Sequence, residues 1–362
     1  MKSRALVLNK FNEPLDLKEI SIPLLNEGEI LVKMEAAGIC GSDVHMWKGE
    51  DERTPLPIIL GHEGVGRIVD INGQKESING EPLHEGSLIT WNRGLCCGAC
   101  FYCAVLHEPS LCDNRKIYGI NMGINEGSAL NGCYSEYIIL RNHTHIFNID
   151  EGVDPAVLVS ASCSGATIAH AFDMVKVNPG DTVVIQGPGP LGVYAVAFAK
   201  SMGASNIIVI GGSEDRLKIC TKFGANKILN RHTIMEEQRR DIIFQITHGH
   251  GADLVIEAAG VLGAAEEGIK LIRKGGTYIT AGYAQPAGVE RIDFYRYVVK
   301  NNITVKGVWA SDTRHTYQAL ALVKKNQKLF SEMITHRFNL EQGNEAIWVM
   351  NNKTALKAVF TF

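Results

Sequence analysis

Hydrophobic and polar positions alternate in two different ways along this chain. From residue 181 the pattern is a regular succession of short β-branched runs and helical stretches. DTVVIQ at 181–186 is a strand; GPGPLG at 187–192 follows it at once; VYAVAFAKSMGA at 193–204 repeats apolar residues three and four apart, as a buried helix does. NIIVIGG at 206–212, ADLVIEAAG at 252–260, GGTYITAG at 275–282 and ITVKGVW at 303–309 read as further strands, each separated from the next by a helical stretch. That order predicts an α/β fold with a doubly wound sheet of six strands. The N-terminal segment, MKSRALVLNKFNEPLDL, instead alternates polar and apolar residues, and it has neither the apolar core nor the cleavage site of a leader. No later apolar run approaches the roughly 18 residues needed to span a bilayer.

Composition narrows the picture further. The chain has 362 residues, 36 Lys+Arg against 39 Asp+Glu and a net charge of −3, which leaves no electrostatic footprint for nucleic acid or an anionic membrane. A cytoplasmic protein with room for two domains is expected. In a reducing compartment its nine cysteines point to metal binding or catalysis rather than to disulfides.

Five of those cysteines fall in GLCCGACFYCAVLHEPSLC at 94–112. Cys97, Cys100 and Cys103 are spaced C-x2-C-x2-C, and Cys112 follows nine positions later. Four thiolates so placed can converge on one tetrahedral zinc at about 2.3 Å each, which closes the site and makes it structural. Cys96 is then a spare. An iron–sulfur cluster is an alternative, but the Cys-Pro that ends bacterial cluster runs is missing; four unligated thiols are another. A second set of potential ligands lies outside this loop: Cys40, Ser42, Asp43 and His45 in GICGSDVH, His62 and Glu63 in GHEGVGRIVDING, and Cys163 in VSASCSGATIAHAF. Singly, Cys163 reads as an ordinary core cysteine and His62 as a loop histidine. The combination is more informative than its members, because a catalytic zinc needs three protein ligands and one open position.

The turn GPGPLG sits between a strand and a helix, the context that makes a glycine pattern a dinucleotide fingerprint. Gly187 serves the tight turn, Gly189 close approach to the pyrophosphate and Gly192 the packing of the helix, with Leu191 in its first turn. The helix N-terminus directs backbone N–H groups at the diphosphate. The second strand ends in Gly211-Gly212-Ser213, where an acidic residue would grip the ribose hydroxyls of NAD(H). Glycine there admits a 2′-phosphate, and Ser213 and Arg216 can donate to it. Glu214 and Asp215 argue the other way, so NADP(H) is favoured with NAD(H) possible.

Taken together these motifs, from GICGSDVH to the C-terminal TALKAVFTF, resemble the zinc-containing alcohol dehydrogenases of the medium-chain dehydrogenase/reductase superfamily. The resemblance implies a GroES-like, mostly β catalytic domain from residues 1–160 and 306–362, a Rossmann domain at 161–305, and an active site in the cleft between them. It implies a catalytic zinc on Cys40, His62 and Cys163, a structural zinc on the four-cysteine loop, and thus two zinc ions per chain. Glu63 corresponds to the acidic neighbour of the metal, and Asp43 to the carboxylate that orients the histidine ligand. Ser42 and His45 correspond to a proton relay that runs through the nicotinamide ribose, with Thr167 positioning the nicotinamide. Two departures stand out: the gap between Cys103 and Cys112 is one residue longer than usual, and Cys163 stands where polyol dehydrogenases usually carry Glu.

The activity so implied is reversible oxidation of a small alcohol to an aldehyde or ketone with NAD(P), by a cytoplasmic homodimer or homotetramer. NNITVKGVW resembles the edge strand through which family members pair. A zinc-free quinone or enoyl reductase of the same fold would lack Cys40, His62, Cys163 and the cysteine loop, whereas a nonenzymatic NADP(H)-binding protein could keep the fold alone. Arg93, in TWNRG, lies near a position that lines the substrate pocket in the family. The ordinary expectation for an arginine, however, is an exposed side chain.

Overall fold

The computed structural model describes residues 1–362, which form two units. One is discontinuous, Met1–Cys163 with Ser311–Phe362, and the other is Ser164–Ala310.

The discontinuous unit is built on a seven-stranded sheet. Its path runs Ile146–Asn148, Leu88–Trp91, Gly64–Ile71, Ile30–Ile39, Lys357–Thr361 and Ile334–Phe338, with Tyr137–Leu140 also paired to Ile30–Ile39. The strand Ile30–Ile39 is buried along nearly all its length, because it has paired neighbours on either side and the core wraps it. It runs antiparallel to Gly64–Ile71, with Ala37 opposite Gly64, and to Lys357–Thr361, with Ile39 opposite Ala358. Three strand ends therefore meet where Ile39 finishes: the residues just after Ile39, just before Gly64 and at Lys357. A three-stranded sheet, Asp16–Ser21, Lys2–Leu8 and Ile58–Ile59, and a two-stranded pair, Gly94–Leu95 with Lys116–Ile117, complete the strands of this unit. The alternating N-terminal segment accordingly forms the strand Lys2–Leu8.

The second unit is a six-stranded sheet, parallel throughout, in the order Lys227–Asn230, Asn206–Gly211, Thr182–Gln186, Ala252–Glu257, Ile272–Thr280, Thr304–Gly307. The order reverses direction beside Thr182–Gln186, the switch point at which doubly wound sheets bind ligands. Five of the strands are those the hydrophobic runs mark. The sixth, Lys227–Asn230, is four residues long with one fully buried side chain, too short and too polar to stand out by pattern. Thr304–Gly307 lies at the opposite edge. No single helix is long and apolar enough to cross a membrane.

Candidate metal centre and nucleotide site

The convergence of strand ends in the first unit assembles one group of donors. Cys40 follows the strand Ile30–Ile39 and caps the helix Gly41–Lys48. His62 and Glu63 precede Gly64, and Cys163 ends a short helical turn. Ligand atoms of Cys40, His62, Glu63 and Cys163 all lie within 4.8 Å of one another. Cys40 Sγ stands 3.9 Å from Cys163 Sγ, and His62 Nε2 stands 3.3 Å from Cys163 Sγ. Donors about 2 Å from a shared tetrahedral ion are separated by spacings of this order. Gly38 is opposite the group: a Cβ there would come within 2.0 Å of Glu63 Oε2, so the carboxylate occupies the space of the missing side chain.

Asp43 organises the centre from behind. Its Oδ1 lies 3.2 Å from His62 Nδ1, and its Oδ2 accepts from the Cys40 amide at 2.8 Å and from the Tyr134 hydroxyl at 2.8 Å. His62 and Asp43 side chains are both fully buried. Burial opposes a charge on His62, but Asp43 and the Cys40 thiolate outweigh it and hold the metal-free ring protonated up to about 9. The Cys163 thiol donates to Cys40 and draws it well below the ordinary thiol range, while Cys163 is pushed well up by the same contact and by burial. Two thiols and a protonated imidazole crowded together in this way are the chemistry of a site whose protons a metal displaces.

Sequence reasoning missed Lys357. Its ammonium is 2.5 Å from Glu63 Oε2, with both side chains essentially fully buried, although the contact is off the line of a well-formed hydrogen bond. Burial works against the Lys357 charge; Glu63, Cys40 and Cys163 outweigh it and keep the ammonium charged. Glu63 Oε1 has no partner at all, an orphaned buried oxygen among three metal donors. Nothing local marks Lys357, which belongs to the centre only through strand pairing.

Ser42 Oγ is 3.8 Å from Cys40 Sγ, at the donor group. His45, one turn further along the same helix, is partly exposed and its Nδ1 is held 2.5 Å from Glu50 Oε2. Arg93 departs from the ordinary expectation of exposure. It is only 7% exposed, and its guanidinium lies beside Cys163, Cys40 and Glu63.

The four-cysteine loop forms the second donor group, with ligand atoms of Cys97, Cys100, Cys103 and Cys112 again within 4.8 Å of one another. Cys112 Sγ and Cys97 Sγ are 3.6 Å apart. Backbone amides of Ala99 and Cys100 lower the Cys97 thiol to about 6, so the turn itself favours thiolate. Cys96 stays outside the group; its thiol points at the Pro109 carbonyl, 3.1 Å away, and burial raises it to about 11.

In the second unit, Gly187 has φ +103, and a Cβ on Gly192 would meet the Gly187 carbonyl at 1.8 Å. Both positions therefore need glycine. A Cβ on Gly189 would meet nothing within 4 Å, which leaves open space at the N-cap of the helix Pro190–Ser201, where Leu191 begins the first turn. These residues fit a dinucleotide. Gly211 ends the neighbouring strand, and Ser213 caps the helix Glu214–Phe223, its hydroxyl accepting from the Arg216 amide at 3.5 Å. Glu214 and Asp215 are exposed and both lie near Lys218, at 3.5 and 3.8 Å. Two further basic side chains, unmarked in the sequence reading, adjoin this corner: a Cβ on Gly212 would stand 2.5 Å from His232 Nε2 and 3.1 Å from Arg231 Nε. Thr167 is half-buried on the helix Ser164–Asp173.

A parallel sheet with this glycine turn, and a β unit carrying an open Cys/His/Glu group and a closed group of four cysteines, define a zinc-dependent oxidoreductase that uses NAD(P). Known proteins agree. Residues 26–151 match the alcohol dehydrogenase GroES-like domain, and residues 190–325 match the zinc-binding dehydrogenase family. The chain is 32% identical to 5-exo-hydroxycamphor dehydrogenase of Pseudomonas putida over 92% of its own length and 91% of that protein's. It is also 32% identical to an alcohol dehydrogenase of a Moraxella species, over 84% and 83%. Among solved structures, an alcohol dehydrogenase from Thermotoga maritima superposes with a TM-score of 0.98 at 49% identity, covering 100% of this chain and 99% of the other. The protein belongs to the zinc-containing alcohol dehydrogenases of the medium-chain dehydrogenase/reductase superfamily. It has two zinc sites and catalyses hydride exchange between an alcohol and NAD(P).

Proposed function

We propose that the protein is an NADP(H)-preferring alcohol dehydrogenase in which Cys40, His62 and Cys163 hold the catalytic zinc, Glu63 stands beside it, and the four-cysteine loop holds the structural one. The observation that carries the ligand assignment is the buried group of four donors, in which the carboxylate of Glu63 is taken up by a lysine, Lys357. An ion pair to lysine holds Glu63 back from the metal and leaves the two thiols and the imidazole as ligands.

When bound, zinc supplies Lewis acidity toward the substrate oxygen and NADP(H) supplies the hydride acceptor or donor. The remaining work falls to the chain. Asp43 accepts the Nδ1 proton of His62, which fixes the ring with Nε2 toward the donor group. Tyr134 and the Cys40 amide hold Asp43 in turn. Ser42 Oγ would take the proton of the substrate hydroxyl while giving its own up along the relay toward His45. His45, anchored at Nδ1 by Glu50, keeps Nε2 free to hand a proton to water, the task of a general acid–base group.

The preference for NADP(H) rests on the corner at Gly211–Ser213. It lacks a carboxylate facing the ribose, its two nearby acids lie by Lys218, and Ser213, Arg216, Arg231 and His232 bring donors to it. A phosphate monoester is matched by such a set. We further assign the protein to the cytoplasm and to a homo-oligomer paired through the edge strand Thr304–Gly307, where Val299, Val305 and Trp309 are exposed. The test is a spectrophotometric panel of alcohols and aldehydes at 340 nm with each cofactor in turn. Turnover with a higher kcat/KM for NADP(H) is expected; a higher value for NAD(H) would overturn the cofactor assignment.

A further inference from the structure

Once the established parts of the metal centre are assigned their charges, one group is left over. Zinc balances the thiolates of Cys40 and Cys163. Lys357 balances Glu63. Asp43 is held by three donors: His62, Tyr134 and the Cys40 amide. Arg93 remains, a permanent cation 7% exposed whose Nε is buried and has no hydrogen-bond partner. Its only anionic neighbours are groups already neutralised. Nearby cations make matters worse rather than better. Arg115 is buried against Gly94, and its charge is disfavoured first by burial and then by Arg93 and Arg53. Arg53 takes up Asp51 in a two-point pair at 2.9 and 2.6 Å. An uncompensated cation out of water is costly, and a buried unpaired donor calls for a partner that the chain does not supply.

We propose that Arg93 determines substrate specificity by binding an anionic substituent, a carboxylate or phosphate monoester, on the alcohol that this site oxidises. The inference rests on the reading of Cys40, His62 and Cys163 as the substrate's metal centre, since it is their neighbourhood that fixes where Arg93 stands. A guanidinium offers five N–H donors in a rigid fork, so the thiol contact leaves donors, Nε among them, for a two-point bond to an oxyanion. Lysine or a neutral amide cannot reproduce that geometry. The substrate's charge then completes the site's balance, and a neutral alcohol of the same shape leaves it incomplete.

The experiment uses the zinc-loaded enzyme and two matched pairs of alcohols: 3-hydroxybutyrate against 2-butanol, and glycerol 3-phosphate against glycerol. The anionic member of at least one pair is expected to have the higher kcat/KM, and the pair with the larger ratio distinguishes carboxylate from phosphate. Arg93→Gln should lower that ratio by about 10- to 150-fold, which corresponds to about 1.4–3 kcal/mol. Arg93→Lys, which keeps the charge without the fork, should lower it less. Zinc content of two per chain in each variant shows that the centre is intact, and calorimetric titration with the anionic alcohol should show its Kd rise by the same factor in Arg93→Gln. Neutral alcohols preferred in both pairs, or an anion preference that survives Arg93→Gln, would overturn the proposal. If none of the four alcohols turns over, the assignment of alcohol oxidation to this centre is what fails. Calorimetry then decides the anion site alone: binding that depends on Arg93 supports it, and its absence refutes it.

Discussion

Replacing Lys357 by Met tests how the metal centre is held together. The substitution roughly keeps the length and volume of the side chain and removes its charge, so the fully buried Glu63 loses the ammonium that stands 2.5 Å from it. Removing one partner of a buried pair costs about 3–5 kcal/mol, because the other charge stays out of water. For a cooperative unit of this size each kcal/mol corresponds to about 2–4 °C in Tm, so a fall of about 6–20 °C is expected. The size of the fall alone would not separate charge from packing. The double variant Lys357→Met/Glu63→Gln removes both charges at nearly constant volume and should recover most of the loss. Thermal unfolding of the three proteins, followed by circular dichroism at one zinc concentration, gives the comparison. A double variant no more stable than the single one would show that Lys357 matters for packing and that the ion pair does not hold Glu63.

Elemental analysis should find two zinc ions per chain, one of which is lost with nearly all turnover in Cys163→Ala; Cys100→Ala should instead lose the other ion together with stability. Gly212→Asp should move the cofactor preference toward NAD(H), because its new Cβ meets only the flexible ends of His232 and Arg231, whereas Gly211→Asp would drive Cβ to 2.5 Å from the Pro188 ring and should destabilise the unit. An unchanged cofactor ratio in Gly212→Asp would count against the phosphate corner. Zinc uptake by the metal-free protein should release protons, since His62 is protonated up to about 9 and must give up that proton to bind. Affinity should therefore rise with pH through the range below about 9, and it should go on rising above it, since the Cys163 thiol is pushed well up and must also give up its proton; calorimetry in buffers of different ionisation enthalpy reads both.

The two cysteine-rich groups and the glycine turn were legible in the sequence because each is a rare residue type at a spacing that chemistry demands. The sheet of the second unit was legible for a related reason, as its central strands are unbroken apolar runs with covered faces. Lys357, Tyr134, Arg231 and His232 were not, and the cause is the same for all of them. Each joins its site through a neighbour brought near by strand pairing or folding rather than by local spacing, and lysine, tyrosine and arginine are too common to signal on their own. The strand Lys227–Asn230 escaped because an edge position buries only one of its side chains. Arg93 was visible as a residue and not as a buried one, since its burial depends on the elements packed around it and not on the polar turn in which it sits.

The discontinuity of the first unit has a bearing on how the protein is made. Residues 164–310 are contiguous, so that unit can fold as soon as it leaves the ribosome. The other cannot close its sheet until residues 357–361 have been synthesised, since 319 positions separate Ile39 from Ala358, its partner in the strand pair beside Cys40. Throughout that interval Cys40 and the four loop cysteines stand without the finished fold around them. The nascent chain is then most exposed to oxidation and to capture of the wrong metal, and yield in a host should depend on thiol reductant and zinc supply during translation more than on either afterwards.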